Sequence, residues 1–125
     1  MDKNLFLKTF NNHIVDFWDD ILLLFPNEID IRTAKIFMSK VIKIKKKIII
    51  ECWYKYIYIK YRNEIENNNY SFFINKNYKG DIGSGPILKS IEKIRNKAKN
   101  VSDENKDKIC QYINNLSKLA NLYHS

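Results

Sequence analysis

His13, Asp16 and Asp20 stand at i, i+3 and i+7, one face of an α-helix. An imidazole and two carboxylates on that face could ligate a metal. A single helix face supplies few ligands, and the other histidine, His124, lies far along the chain. The simpler reading is a solvated face, so no metal is implied. Gly80, Gly83 and Gly85, with Lys79 and Lys89 nearby, precede a helix start at Pro86. Backbone N–H groups there could cradle a phosphate. Neither the dinucleotide fingerprint nor the P-loop spacing is met, so these glycines read as an interhelical loop. Glu51 and Lys55 could join Asp16 or Asp30 in a nuclease-like set. As an i, i+4 pair they would stabilise a helix by about 0.2–0.5 kcal/mol, which is the simpler account. No serine or cysteine has a histidine placed to activate it. The chain reads as non-enzymatic, with no cofactor.

Binding chemistry is better represented. The segment Lys40–Arg62 is built almost wholly of basic, aliphatic and aromatic residues. Lys43, Lys45, Lys46, Lys47, Lys55, Lys60 and Arg62 could track phosphates, while Tyr54, Tyr58 or Tyr61 stack on bases. A second basic array, Lys89, Lys93, Arg95, Lys97 and Lys99, could extend that surface or meet an acidic partner. The alternative places Trp53 and Tyr56 in the core, with the lysines reaching past them to water.

The net charge is +8, and its distribution is uneven. Residues 1–30 hold two lysines against six acids, whereas residues 31–62 hold ten basic residues against Glu51 alone. An acidic first segment argues against a uniformly basic nucleic-acid surface. It could neutralise the basic segment within the fold or in a second copy.

The elements that must position these residues read as helices. With only 3 Gly and 2 Pro in 125 residues, long helices joined by few turns are expected. The first runs from about Asn4 to Phe25, with Phe6, Phe10, Ile14, Phe17, Ile21 and Leu24 on one face, and stops at Pro26. The second opens near Asp30 as N-cap and buries Ile31, Ala34, Met38, Val41 and Ile42, with Phe37 beside them. Lys45–Lys47 marks a solvated join.

A third helix is expected over Ile48–Ile65. Ile57 to Tyr61 alternates and is rich in β-formers, which allows a strand there, but length and the lack of breakers favour helix. Its apolar character nearly all round makes it the expected central, most buried helix. Asn67–Asn69 breaks the chain, and Tyr70–Tyr78 forms a short aromatic insert. A fourth helix runs from Pro86 to about Lys99. The last is capped by Ser102 and carries Ile109, Tyr112, Ile113, Leu116, Leu119, Ala120 and Tyr123. Cys52 and Cys110 read as two buried thiols in a reducing compartment. No run approaches the roughly 20 apolar residues of a membrane span.

Three stretches resemble a group of small uncharacterised helical proteins of nucleocytoplasmic large DNA viruses. They are Asp16 to Phe25-Pro26, then Asn69-Tyr70-Ser71-Phe72-Phe73-Ile74 followed by Tyr78, then Ser102, Glu104-Asn105-Lys106, Ile109, Tyr112, Leu116, Leu119 and Tyr123. The chain departs from the group at Tyr70 and Ser71, where acids are expected, and at Cys110, where Trp is expected. The resemblance implies a viral, non-secreted helical protein and no particular activity.

The combined expectation is one all-α domain over residues 1–125, a compact bundle of four to five helices with one Gly-rich interhelical loop. It would be intracellular, in host cytoplasm, nucleus or virion. It would act as a protein-interaction or structural module through a protein partner or self-association. Nucleic-acid binding through residues 40–62 is the alternative.

Overall fold

The first helix, α1 (Lys3–Leu24), begins where Asp2 caps it. The Asp2 carboxylate accepts from the backbone N–H of Asn4 at 3.0 Å and of Leu5 at 3.3 Å. Such caps satisfy donors that the first turn leaves open. The helix ends at Phe25, whose N–H donates to Ile21 O at 3.0 Å, just before Pro26. The computed structural model describes residues 2–75 and 95–125. Among these every regular element is helical, so the protein is all-α. None of the described helices is long and apolar enough to cross a membrane. The Gly-rich loop and most of the helix expected from Pro86 lie outside the described residues.

α2 (Ile29–Ile44) is capped two residues earlier than expected, at position 28 and not at Asp30. Glu28 holds the cap position, in extended backbone and with no side-chain cap bond. Asp30 stands inside the first turn, where the helix dipole favours an acid. Arg32 closes the turn between α1 and α2 by donating from Nη2 to Pro26 O at 2.9 Å.

After the exposed join at Lys45–Lys47, the chain continues as α3 (Ile48–Trp53), a π-helical turn (Tyr54–Tyr58) and α4 (Arg62–Glu66). The π turn is closed by Ile59 N–H on Tyr54 O at 3.0 Å. Ile57–Tyr61 is therefore helical or turn, and the strand alternative is overturned. One continuous helix is also overturned: the wide π turn and the turn at Ile59–Tyr61 break it.

Nor is this segment the most buried. Cys52, Lys55, Tyr56 and Ile59 are exposed, and only Ile50, Tyr61 and Ile65 are buried. Cys52 is thus not the buried thiol expected, nor Tyr56 the core residue, whereas Cys110 is buried. An outer helix with apolar residues on every side must leave one side in water.

Asn68 turns the chain with φ 52, a left-handed conformation that Asn tolerates better than most residues. Its carbonyl accepts from Cys110 Sγ at 3.8 Å, and its Oδ1 accepts from Asn114 Nδ2 at 2.6 Å. α5 (Tyr70–Asn75) follows, with Asn69 Oδ1 accepting from Phe72 N–H at 3.1 Å.

The centre of the fold is the last helix, α6 (Asp103–His124), capped by Ser102 Oγ on Asn105 N–H at 3.2 Å as expected. α1 packs along one side of it and the Ile48–Glu66 stretch along the other. Leu7, Phe10, Ile14, Ile50, Leu116 and Ala120 form the core. Small residues at 117 and 120 let neighbours approach on both sides. Trp53 Nε1 donates to the buried Ser117 Oγ at 3.0 Å and meets the Phe10 ring edge-on at 6.1 Å.

Candidate partner-binding face

Among the described residues, the expected basic positions fall on several elements. Lys43, Lys45, Lys46 and Lys47 are all exposed at the α2–α3 join. Asn11 Nδ2 donates to Lys46 O at 3.0 Å and pins that join to α1. Lys97 sits at the opposite end of α2, where its Nζ is 2.6 Å from Glu28 Oε1. The sixteen residues of α2 separate these ends by about 24 Å. Arg95 is half-buried beside the apolar Phe17, Ile21 and Ile109, while Lys99 is exposed. Lys89 and Lys93 lie outside the described residues.

The aromatic partners are also engaged within the chain. Tyr54 stacks on His124 at 4.1 Å and on Tyr58 at 5.9 Å, and Tyr61 is buried against Phe72 and Phe73. Lys55 lies over Tyr56, Lys60 over Tyr61 and Arg62 over Tyr58, at 5.3, 5.6 and 4.9 Å from the ring centroids. Among the described ion pairs, none joins Glu51 to Lys55. All three tyrosines expected to stack on bases thus make ring or cation contacts within the chain.

α2 instead presents two apolar faces. Ile31 is buried, and Ala34, Met38, Val41 and Ile42 are half-buried, as the first stripe required. Phe37 turns away from them and is 67% exposed. It belongs to a second row with Ile29, Ile36 and Ile44, which are 75%, 53% and 79% exposed. At about 100° per residue, Ile36, Ile29, Lys40, Thr33, Ile44 and Phe37 follow one another across roughly 100° of arc. Thr33 and Lys40 mark the midline of this row, and both are exposed. Arg32 and Lys43 border it beyond Ile36. The sequence carried this signal at i, i+7, i+8 and i+15, but the inward stripe with its buried Ile31 masked it.

A second concave surface lies between α1 and α6. His13, Asp20, Lys108, Gln111, Tyr112 and Asn115 line a cleft of about 320 Å³. The Tyr112 hydroxyl donates to the Asp20 carboxylate, and its ring stacks on Phe17 at 4.9 Å and lies tilted against His13 at 4.7 Å. Asp16 and Asp20 are exposed, as a solvated face requires, while His13 is half-buried. Among the described residues no cluster of three or more His, Cys, Asp or Glu could hold a metal.

Burial lowers the His13 pKa below 6.5, opposed by the Asp16 charge. Burial, then the bond to Asp20 and the charges of Asp20, Asp16 and Asp19, push Tyr112 up to about 12. A phenol so held stays protonated at neutral pH and is a poor proton acceptor. Burial likewise raises the Cys110 thiol, with Asp107 adding to it, and so disfavours the reactive thiolate.

No protein-family model, curated protein or solved structure matches the chain.

Proposed function

We propose that the protein is a non-enzymatic interaction or structural module that receives a protein partner on the outward face of α2. The observation that carries this reading is the row Ile29, Ile36, Phe37 and Ile44, four large apolar side chains each more than half exposed on one helix. Fully burying a side chain of this kind contributes about 1.5–3 kcal/mol, so water contact leaves a large driving force unused. Thr33 and Lys40 run between these side chains, so the row is an apolar face with a polar midline, and a face that leaves this much apolar surface in water suits an interaction site. The reading includes a single domain over residues 1–125, a bundle of four to five helices linked in part through Gly80–Gly85. It also includes the viral, intracellular setting that the resemblance implies.

The test is a pull-down from cells containing the partner, with and without nuclease, using wild type and the double variant Ile36→Ser/Phe37→Ser. Partners retained after nuclease and lost with the double variant support the reading. Retention by the double variant removes α2 from it. Nucleic-acid binding is the second reading, supported by Lys43, Lys45, Lys46 and Lys47, which are exposed within five residues and held by none of the described ion pairs. Partners that vanish on nuclease treatment favour this alternative.

A further inference from the structure

We infer that the occupant of the outward α2 face is an amphipathic helix of another protein with acidic residues along its apolar seam. This rests on the proposed interaction role and names the chemistry of the partner. The row contains a cation on its midline: Lys40 lies between the exposed Ile36 and Ile44. Arg32 and Lys43 add two more charges on the Ile36 edge, and the lysines of the α2–α3 join follow. The acids of α2 and its cap, Glu28 and Asp30, are confined to the start of the helix, and Glu28 is held by Lys97. A lysine in the seam between two helices selects a partner that offers it a carboxylate.

A second copy fits poorly. Antiparallel pairing that matches Ile29 to Ile44 of the other copy also sets Arg32 within about 3 Å, along the axis, of Lys43 of the second copy on the same edge. Parallel pairing in register sets Lys40 against Lys40. Either arrangement juxtaposes like charges across an interface, which costs affinity. An anionic membrane surface would attract the basic edge, but the midline of an inserted helix is its deepest line. That line holds Lys40, which hydrocarbon disfavours. A facing carboxylate on a partner helix satisfies Lys40, and flanking apolar residues cover Ile29, Ile36, Phe37 and Ile44.

The experiment titrates the full chain with a designed helical peptide. It has apolar residues facing the row, Glu facing Lys40 and Glu along the edge beside Arg32 and Lys43. A control peptide carries Lys at those Glu positions. The acidic peptide is expected to bind at least about tenfold more tightly than the control, because like charges across the interface disfavour the latter. Lys40→Glu/Lys43→Glu should reverse the preference, and Phe37→Asp should abolish binding of both. Circular dichroism melts check that these exposed-site variants stay folded.

Equal binding of the two peptides, or no binding of either, overturns the acidic-helix inference. Sedimentation showing a dimer that Phe37→Asp dissolves also overturns it, while leaving α2 as a protein-interaction face. Binding only to vesicles of phosphatidylcholine and phosphatidylserine, lost in Phe37→Asp, overturns both the inference and the protein-partner reading.

Discussion

Tyr112 joins α1 to α6 with both its ring and its hydroxyl, and this gives the protein a measurable alkaline signature. Its raised pKa means that the fold favours the neutral phenol. The stabilisation is fully present below pH 10, the ordinary value, and is lost as pH rises to about 12. Tyr112→Phe should remove one phenolate from the top of a spectrophotometric titration and flatten the loss of stability over that window. Asp20→Asn should lower the transition without returning it to 10, because burial is the larger cause. A wild-type Tyr112 that titrates near 10 would contradict the Asp20 contact. His13 works in the opposite direction. Its neutral form is favoured, so stability held above pH 6.5 falls as pH drops through the lower folded value. The shared face of His13 and Asp16 was legible in the sequence, but the contact with Tyr112 was not. Asp20 and Tyr112 are 92 positions apart, and neither helix's periodicity says which residue of the other it meets.

Helix ends were more legible than helix depth. Pro26, the Asn67–Asn69 break and the Ser102 cap all appear where residue chemistry placed them, because caps and breakers act over a few residues. The π turn was not legible, since Tyr54–Tyr58 has the composition of any buried helix or strand. The break after α4 offers a test at this scale. Asn68 sits at φ 52 and also bonds Asn114 through its side chain. Asn68→Gly loses the side-chain bond but keeps the left-handed backbone. Asn68→Ala loses the bond and adds a backbone penalty of about 1–2 kcal/mol. Denaturant titration should therefore rank wild type above Gly and Gly above Ala. Equal stability of the Gly and Ala variants would mean that the left-handed turn is not required.

At the scale of the whole molecule, scarce glycine and proline made the all-α class readable, but the central helix was misassigned. Hydropathy points to Ile48–Ile59, whereas α6 holds the centre. What favours α6 is a mixture of Leu116 with the small Ser117 and Ala120, a pattern that admits close neighbours on two sides. Charge follows a similar logic. The sequence shows an acidic segment followed by a basic one, and among the described residues the fold spreads the basic residues over α2, the α2–α3 join, the π turn and α4. Lys35 pairs with Asp19 and Lys97 with Glu28, while the α2–α3 join keeps a run of exposed lysines.

A nucleic acid bound at that join would meet three or four lysines and little base-stacking surface, because Tyr54, Tyr58 and Tyr61 are occupied. Affinity would then be almost wholly electrostatic, with a logarithmic salt slope of about −0.7 to −0.9 per neutralised phosphate. Binding to a generic duplex is expected to be weaker than about 10⁻⁴ M at physiological salt, the weak edge of non-specific affinity. At low salt, where binding can be measured, Lys45→Gln/Lys46→Gln/Lys47→Gln should flatten the slope by roughly two to three units. The same triple variant should leave stability nearly unchanged, because exposed lysines contribute little to folding. Tighter binding at physiological salt, lost in the triple variant, would make the join the principal site and move the α2 row to a secondary role. Weak binding with a slope insensitive to these lysines would place the residual contacts elsewhere on the basic surface.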